Sequence, residues 1–392
     1  PMSKSSPKQA NAVKLIDNLI NFAIYHEADS IHLEKSSSDN AIAVHYFGAK
    51  ELNSTWTLPT STGSLIWDKL CTLANIDEQQ NSGYFLLTSA CGPLHCQVES
   101  LGARDFSRLI IKAKQHQHNA SWSSAQFDSK VADQVLTIIN GKGLAILSGA
   151  DQAFVTQLIY ILLSSLSHDR ACLASLEAPI MASLPEVNQC QWQAGQGTSY
   201  NNLFKHILDQ DPDIIYASHL EKIDPHQLSQ AASNKLILTI SNQASILNII
   251  KQLLSQTDSQ QVLSKLKFIL NVHLVKQNCP HCLESYHLST KDAEHLADIT
   301  KFSLADIKAT DFAYSRGCLN CNFQASTNNI PLYDAFFPDS ELIKTLIKQG
   351  FNKKTPALIA STLDLNALED AWLKAQLKLI SPLEIINQFG NN

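Results

Sequence analysis

Apolar runs alternate with amphipathic segments through the middle of the chain, from residue 143 to residue 254. Four short runs rich in Leu, Ile and Ala are predicted to be buried strands: residues 143–148, 171–176, 214–217 and 236–240. Four segments with a helical spacing of apolar residues follow them in turn: residues 153–165, 200–209, 225–232 and 245–254. This alternation predicts a parallel sheet with helices on both faces, which is the α/β class.

The first 113 residues show a different pattern, in which strands and helices do not alternate regularly. Helices are predicted at residues 11–25 and 65–74, and strands at residues 28–33, 41–47, 92–100 and 107–113. In the first helix, Val13, Ile16, Ile20 and Ala23 share one face. This mixture predicts a small α+β domain of about 110 residues.

A polar stretch without a convincing period follows at residues 114–130 and is predicted to be an interdomain linker. Within it, His116 and His118 are expected to be solvated rather than to bind a metal ion. We expect the last 120 or so residues to be mainly helical. The proposed divisions are residues 2–113, 114–130, 131–275, 276–335 and 336–392.

Composition excludes two broad classes of protein. Hydrophobic residues make up 44% of the 392 residues, which is enough for a sizeable core and excludes a disordered chain. The net charge of −6 disfavours general binding to nucleic-acid phosphates. Arginine, on which phosphate chemistry between subunits usually depends, is scarce. The chain has four arginines: Arg104, Arg108, Arg170 and Arg316.

Several features favour a cytoplasmic protein without a transmembrane segment. Pro1 before Met2 is interpreted as an expression remnant, and residues 2–10 lack the apolar core of a signal peptide. The densest apolar run, residues 158–163, is far too short to cross a bilayer. Nine cysteines, four of them in two CxxC pairs, favour a reducing compartment.

The two CxxC pairs are Cys279 with Cys282 and Cys318 with Cys321, separated by 35 residues. Each pair supplies two thiolates at a spacing suited to half of a tetrahedral zinc site. Two such pairs complete a four-thiolate shell with no open position, which stabilises a fold and does not catalyse. The gap between the pairs is longer than in the commonest zinc ribbons, so a redox or merely buried role stays open as the alternative.

Residues 144–149 (Leu-Ala-Ile-Leu-Ser-Gly) run directly into a predicted helix, which is the setting of a phosphate-binding loop. Such a loop needs glycines that turn N–H groups toward the phosphates, a Lys for charge and a Ser or Thr for Mg²⁺. Here Val155 stands where the Lys would be, and Asp151 adds negative charge. The residues alone therefore predict a poor ATP site. The candidates for residual nucleotide contact are Ser148, Gly149 and Thr156.

Longer motifs support a specific comparison. Residues 210–215 (Gln-Asp-Pro-Asp-Ile-Ile) reproduce a QDPDII motif, residues 28–34 are close to ASDIHIEP, and residues 176–179 are close to IEDP. The two CxxC pairs, followed by Pro-Leu-Tyr at residues 331–333, match a tetracysteine insert. From about residue 28 to the C-terminus, the chain resembles the hexameric ATPases that power type II secretion and type IV pilus assembly.

The resemblance implies a RecA-like parallel-sheet domain behind the small α+β domain, with a tetracysteine zinc insert and a helical C-terminal subdomain. It implies structural Zn²⁺ held by Cys279, Cys282, Cys318 and Cys321. It also implies that Glu177, in the acidic box, joins Ser148, Gly149 and Thr156 as a relic of a nucleotide site.

The positions at which the chain departs from the family are the catalytic ones. Val155 replaces the Lys of the phosphate loop, and His219 replaces the Glu that the family uses to activate water. The other departures are Ala178 and Met181 in the acidic box, Asn242 for the histidine-box His, and Asp209 and Lys205 for arginines. Losing the Lys and the Glu removes the groups that position and polarise ATP and water. His219 has a pKa range suited to a base, but no cation is left to position a substrate for it.

The chain is therefore expected to be a catalytically inactive homologue, a pseudo-ATPase. It would act as a cytoplasmic structural or regulatory subunit at the inner-membrane base of a pilus or secretion machine. Its expected partners are an active ATPase paralogue, in a homo- or hetero-oligomer, or the inner-membrane platform protein. A slow ATPase and a nucleotide-binding sensor stay open as alternatives, with binding of ATP and Mg²⁺ in doubt. A nucleic-acid-binding zinc module is disfavoured by the net charge.

Overall fold

The computed structural model describes residues 7–390, apart from 27, 29, 37–40, 49–54, 75, 77–80, 90–91, 103–105, 115–124, 128, 167–171, 194–196 and 301. The chain divides into two compact units. Unit 1 contains residues 1–119, 178–184 and 191–198, and unit 2 contains residues 120–177, 185–190 and 199–392. His116 and His118 of the predicted linker lie outside the described residues.

Unit 1 is an antiparallel sheet covered by two helices. Its elements are α1 (Pro7–Tyr25), β1 (Ser30–Ser36), β2 (Ala41–Phe47), β3 (Thr55–Pro59), α2 (Thr60–Ala74), β4 (Ser82–Ser89), β5 (Gly92–Gly102) and β6 (Phe106–Lys114). The strand order is β3-β2-β1-β6-β5-β4, and each neighbouring pair is antiparallel. Alternate residues of β2 are buried because one face of the sheet packs against the helices.

The structure adds two strands to those that the sequence predicts in unit 1, β3 and β4. Strand β3 has only five residues and ends in Pro59, which is typical of an edge strand and weakens its sequence signal. Strand β4 forms the opposite edge of the same sheet. Both edge strands are therefore placed by pairing with a neighbour rather than by a strong pattern of their own.

Unit 2 contains the remaining elements of the described chain. They are α3 (Ser129–Ile139), β7 (Gly143–Gly149), α4 (Gln152–Leu166), β8 (Leu173–Glu177), β9 (Val187–Gln191), α5 (Tyr200–Leu208), β10 (Ile214–Ala217), α6 (Pro225–Asn234), β11 (Leu236–Ser241), α7 (Ile246–Ser255), α8 (Ser259–Leu263), β12 (Leu266–Asn278), β13 (Leu283–Tyr286), α9 (Thr290–Thr300), α10 (Leu304–Ala309), β14 (Phe312–Ser315), β15 (Ser326–Phe336), α11 (Ser340–Gln349), α12 (Thr355–Ala360), α13 (Ala367–Gln376) and α14 (Pro382–Phe389).

A seven-stranded sheet in the order β15-β12-β7-β11-β10-β8-β9 forms the centre of unit 2. The five strands from β12 to β8 in that order run parallel, which confirms the predicted parallel sheet. Every residue of β7, β8, β10 and β11 is buried, as expected for strands inside a parallel sheet. Because the strands are parallel, their carboxyl ends meet at one edge, where ligands of such sheets bind.

The expectation of a mainly helical end of the chain needs correction. Strand β15 pairs antiparallel with the 13-residue strand β12, and β13 pairs with β14 in a second, two-stranded sheet. Helices predominate only after β15, where α11 to α14 lie. These strands were missed because their periodicity is interrupted by the cysteine turns and by a register shift in β12 between Lys276 and Asn278.

Candidate functional site

The residues that the sequence nominated for nucleotide contact lie at the carboxyl edge of the parallel sheet. Strand β7 ends at Gly149, and only Ala150 and Asp151 separate it from helix α4. Glu177 ends β8, which is separated from β7 by two intervening strands, β11 and β10. The structure therefore gives each nominated residue a place at the edge where a ligand of this fold would bind.

Ser148 and Gly149 are both explained by packing within the sheet. The hydroxyl of Ser148 is fully buried and donates a hydrogen bond of 2.8 Å to Oδ1 of Asn271 on β12. A Cβ atom added to Gly149 would lie 2.7 Å from the carbonyl oxygen of Val272. Glycine is thus required there because β12 approaches closely, whether or not a phosphate binds.

Asp151 caps helix α4. Its Oδ1 accepts a hydrogen bond of 3.0 Å from the backbone N–H of Phe154, and its carbonyl oxygen accepts one of 3.1 Å from the N–H of Val155. This is the geometry of an N-cap residue, whose side chain satisfies an N–H of the first turn. A carboxylate is also favoured there by the positive end of the helix dipole.

Two further polar side chains of the loop bond to the backbone. The amide of Gln152 donates to the carbonyl oxygen of Gly149 at 3.0 Å, and the hydroxyl of Thr156 donates to the carbonyl oxygen of Gln152 at 2.8 Å. The Val155 side chain is fully buried. Position 155 is therefore part of the hydrophobic core of unit 2.

Glu177 lies in the interior of unit 2. Its carboxylate accepts hydrogen bonds from the hydroxyl of Tyr160, from Ser175 Oγ at 2.5 Å and from Gln189 Nε2 at 3.0 Å. Burial raises the pKa of Glu177 above its usual value, and the three hydrogen bonds partly oppose that shift. The side chain is fully buried, and its hydrogen bonds fix it within the fold.

Tyr200 joins the ends of two parallel strands. Its hydroxyl donates to the carbonyl oxygen of Leu176 at 2.9 Å and accepts from the N–H of His219 at 3.1 Å. The ring of His219 packs at 5.6 Å from that of Tyr200, measured between centroids. Burial, with a smaller effect of Lys222, lowers the pKa of His219, so its imidazole is more readily neutral. The ring of His219 therefore has a packing partner in unit 2.

Arg108 of unit 1 is held by an acidic neighbour on the same sheet. Its Nη2 lies 2.6 Å from Oε1 of Glu34, which is directly opposite on β1. The structure describes neither Arg104 nor Arg170.

The four cysteines of the CxxC pairs come together in unit 2. Cys279 directly follows the long strand β12, and each pair is closed by a short 3₁₀ turn, at Pro280–Cys282 and Leu319–Cys321. The four Sγ atoms all lie within 4.8 Å of one another. Burial raises the pKa of Cys279, whereas the backbone N–H of Cys318 lowers the pKa of Cys321.

The cluster has the dimensions of a tetrahedral thiolate site. The Sγ atoms of Cys279 and Cys318 are 3.9 Å apart, as are those of Cys282 and Cys321, and Cys318 and Cys321 are 3.8 Å apart. Sulfur atoms at about 2.3 Å from a central zinc ion are separated by about 3.8 Å in a regular tetrahedron. The four side chains therefore lie close enough together to hold one metal ion.

Comparison with known proteins shows the origin of this architecture. A sequence model of the family described as type II/IV secretion system protein matches residues 5–377 of the chain. The chain belongs to this family. Among curated relatives of known sequence, type II secretion system protein E of Klebsiella pneumoniae is 21% identical over 359 residues, which is 89% of this chain and 70% of the relative. The type IV pilus assembly ATPase PilB of Acinetobacter baylyi is 20% identical over 97% of this chain and 66% of its own length.

Solved structures agree with the secretion-protein family at the level of the fold. The pilus retraction motor PilT with bound ADP has a TM-score of 0.63 at 13% identity, covering 95% of this chain and 96% of PilT. The ATPase DotB of Legionella pneumophila has a TM-score of 0.65 at 11% identity, covering 99% of this chain and 98% of DotB. At such low identity these likenesses show the fold alone. In the described part of the chain, no helix is long and apolar enough to span a membrane.

Sequence reasoning did not find the hydrogen-bond partners of Ser148 and His219. Asn271 lies 123 positions from Ser148, and Tyr200 lies 19 positions before His219. No local motif marks such contacts because they form only when strands and helices pack together. The acceptor role of Asp151 had a sequence signal, since an Asp directly before a helix is a typical N-cap.

Proposed function

We propose that this chain is a catalytically inactive member of the secretion-protein family, a pseudo-ATPase that serves a pilus or secretion machine as a structural or regulatory subunit. The observation that carries the proposal is Val155, fully buried at the position of the family's lysine. Phosphoryl transfer depends on positioning and on cationic stabilisation of the phosphates. Residues 148–156 contain one acidic and no basic residue.

Two groups that the family uses for catalysis, the lysine and the water-activating glutamate, are both missing. Removing one group that stabilises charge or transfers a proton typically costs on the order of 10²–10⁴ in rate. Here the lysine is Val155 and the water-activating glutamate is His219. The retained residues Ser148, Thr156 and Glu177 are each engaged in internal hydrogen bonds. These contacts support a role for the retained residues in the fold and not in hydrolysis.

The direct test is ATP turnover by the purified chain with Mg²⁺, beside an active relative such as the pilus ATPase PilB. We expect no hydrolysis above the no-protein background. The matched comparison is the double variant Val155→Lys/His219→Glu, which returns the family's residues to both positions. Steady turnover by the unmodified chain that is lost in Glu177→Gln would contradict the proposal and favour a slow ATPase.

Nucleotide binding, rather than ATP turnover, distinguishes the nucleotide-sensor alternative from a scaffold. Calorimetric titration with ATP and Mg²⁺ is expected to show no saturable binding at millimolar nucleotide. Saturable binding without turnover would replace the scaffold role with that of a sensor of the same machinery. The expected contacts would then be Ser148, Gly149, Thr156 and Glu177.

We further propose that Cys279, Cys282, Cys318 and Cys321 hold a structural zinc ion in the subdomain of residues 276–335. The distances between their Sγ atoms support this assignment. Four thiolates leave no open coordination position, so zinc would stabilise the turns at the end of β12 and would not take part in chemistry.

The proposed partner is an active ATPase paralogue or the inner-membrane platform protein, bound at the cytoplasmic face of the membrane. Family membership supports this assignment in general terms, and the specific partner is a proposal. In vivo crosslinking with the chain as bait is expected to recover a component of one pilus or secretion system. Recovery of only ribosomal or metabolic proteins would count against the assignment.

A further inference from the structure

A lysine-rich surface lies on unit 2, on helices α7 and α11 and in the turn that follows α11. The stretch of residues 342–363 contains four lysines and no Asp or Glu, in a chain whose net charge is −6. Helix α7, which contains another lysine, also lacks an acidic residue. All five side chains are exposed, and together they form the lysine surface: Lys251, Lys344, Lys348, Lys353 and Lys354.

Helix α11 presents two of these lysines on one face. Lys344 and Lys348 are four positions apart, and like charges at this spacing repel each other on a helix. The negative end of the helix dipole favours Lys348, which is in the last turn, but it does not favour Lys344. Among the residues that the structure describes, no carboxylate forms an ion pair with a member of the lysine surface. The repulsion is therefore not offset by neighbouring side chains.

The turn after α11 holds the next two lysines. The backbone N–H of Asn352 donates to Oγ1 of the buried Thr355 at 2.9 Å. The side-chain Oδ1 of Asn352 accepts from the N–H of Lys354 at 2.8 Å. Lys353 and Lys354 therefore extend from a hydrogen-bonded turn that follows closely on α11.

A cation–π contact joins α7 to the same turn. The Nζ of Lys251 lies 5.6 Å from the centroid of the Phe351 ring, which is within the range of such contacts. Phe351 precedes Lys353 by two residues. The fifth positive charge is therefore held beside the other four by a contact between separate elements.

The chemistry of the lysine surface favours an acidic polypeptide over a lipid bilayer. A helix that lies in a membrane interface needs an apolar face that can insert among the lipids. The ring of Phe351 is already in contact with Lys251. The apolar side chains of α11 are all buried or half-buried: Leu342, Ile343, Leu346 and Ile347. The surface therefore offers charge without an apolar face to insert.

The spacing of the lysines on α11 suits an extended acidic segment. Lys344 and Lys348 are about 6 Å apart along the helix axis, because each residue of an α-helix adds about 1.5 Å. Alternate side chains of an extended strand are about 6.6 Å apart. Carboxylates at alternate positions of such a segment can therefore each approach one ammonium group.

We propose that the lysine surface docks an acidic segment of a partner chain. The inference rests on the proposed role of this chain as a subunit of a pilus or secretion machine, and it names the chemistry by which the partner is recognised. Carboxylates of the partner relieve the repulsion between Lys344 and Lys348 and pair with the lysines of the turn. The contact is electrostatic, so it weakens as the salt concentration rises.

The experiment follows the fluorescence anisotropy of a labelled peptide of alternating Glu and Ser as the full chain is added. Saturable binding is expected at low salt, with weaker binding at about 0.15 M salt. The same peptide with Gln in place of each Glu is expected not to bind. The four-lysine variant should bind the acidic peptide at least about tenfold more weakly, because four charge pairs are lost together. It is Lys344→Gln/Lys348→Gln/Lys353→Gln/Lys354→Gln.

The double variant Lys344→Gln/Lys348→Gln keeps the turn unchanged, and its affinity is expected to lie between those of the native chain and the four-lysine variant. The matched control removes four exposed lysines of unit 2 outside the lysine surface, so the change in net charge is the same. It should bind the acidic peptide within about twofold of the native chain. The control is Lys205→Gln/Lys276→Gln/Lys291→Gln/Lys308→Gln. Urea unfolding of each variant checks that the fold is retained.

Three outcomes would overturn the proposal. The first is no binding of the acidic peptide by the native chain, and the second is an equal loss of binding in the control, which would show an effect of general charge. The third is cosedimentation with vesicles of phosphatidylglycerol and phosphatidylcholine that the four-lysine variant loses, without binding of the peptide. That result would assign the lysine surface to a membrane.

The outcomes are distinguishable from those that test the proposed function. ATP turnover by the native chain would refute the inactive state, whatever the acidic peptide does. Absence of peptide binding, again without turnover, would refute the docking surface and leave the inactive state standing. Peptide binding that depends on the lysine surface, without turnover, would support both.

Discussion

At the scale of single residues, the four residues nominated for nucleotide contact are also explained by the fold. Ser148, Gly149, Thr156 and Glu177 each have a structural partner in unit 2 that does not involve nucleotide. Their retention is therefore weak support for ATP binding. Substitutions at these positions should change the free energy of unfolding. We expect Glu177→Gln to raise it at neutral pH and Gly149→Ala to lower it.

Glu177→Gln is expected to stabilise the protein at neutral pH. Burial raises the folded-state pKa of Glu177 above the unfolded value near 4.5, so the folded state binds the proton more tightly. The native chain should then lose stability as the pH rises from the unfolded pKa toward the folded one, by up to about 1.4 kcal/mol per pH unit. Glutamine does not ionise and can still accept from Ser175 and Gln189 through its carbonyl oxygen.

The measurement is urea unfolding of both proteins between pH 4.5 and pH 8. The difference in free energy of unfolding should be small at the acid end and should grow with pH in favour of the variant. The control is Glu294→Gln, since Glu294 is exposed on α9. A variant that is less stable than the native chain at every pH would show that Glu177 is needed as an anion.

Gly149→Ala is expected to destabilise the protein by about 1–3 kcal/mol, because the new Cβ would lie 2.7 Å from the carbonyl oxygen of Val272 and forced contacts in a packed core cost about that much. The effect should be independent of added nucleotide. Gly102→Ala is the control, since a Cβ there meets no atom within 4 Å. Urea unfolding of the three proteins decides the point, and equal stability of Gly149→Ala and the native chain would remove the steric argument.

At the scale of elements, helix α13 contains a buried ion pair, and both of its members also bond to the backbone of strand β15. The Nζ of Lys374 donates to Oδ2 of Asp370 at 2.8 Å and to the carbonyl oxygen of Pro331 at 2.6 Å. The N–H of Tyr333 also donates to Asp370 at 3.2 Å. Both charged side chains are at most 10% exposed, so each depends on the other for compensation.

Asp370→Ala is therefore expected to cost about 3–5 kcal/mol in the free energy of unfolding, because it leaves the ammonium of Lys374 buried without its carboxylate. Asp311→Ala is the matched control. It breaks the ion pair with Lys378. The side chains of Lys378 and Asp311 are 41% and 68% exposed, so the loss of stability should be much smaller than for Asp370→Ala. Thermal and urea unfolding would show the difference, and similar costs for the two variants would contradict the argument from burial.

The elements also show what a sequence can reveal. The parallel strands β7, β10 and β11 are visible because each is a short apolar run between helices with clear periods. Strands β3, β9 and β15 lie at the edges of their sheets, and each is positioned by pairing with one neighbouring strand. The clustering of the four cysteines could be predicted, because the CxxC spacing within each pair is a local sequence signal for metal ligands. The hydrogen bond from Ser148 to Asn271 spans 123 residues and has no such signature.

At the scale of the whole molecule, unit 2 has two cores, one around the parallel sheet and one that includes α9, α13 and β15. The cysteine cluster lies at the end of β12, the strand that continues from the first core toward the second. Asn278, next to Cys279, donates its N–H to the carbonyl oxygen of Leu379 at 2.7 Å, between α13 and α14. Metal binding should therefore stabilise this end of unit 2 beyond the two turns themselves.

Removal of the metal tests whether the cysteine cluster stabilises this end of unit 2. The purified chain should contain one zinc ion per molecule, and a strong chelator should lower its thermal stability, because a structural zinc site contributes directly to folding. Cys321→Ser should lose the zinc and lower the protection from hydrogen exchange of β13, α13 and α14, while the parallel sheet around β7 keeps its protection. Cys172→Ser is the control, since Cys172 is exposed and outside the cluster. Full retention of zinc and of protection in Cys321→Ser would show that the zinc ion is not held by the four-cysteine cluster. The long strand β12 would then have to hold this end of unit 2 by packing alone.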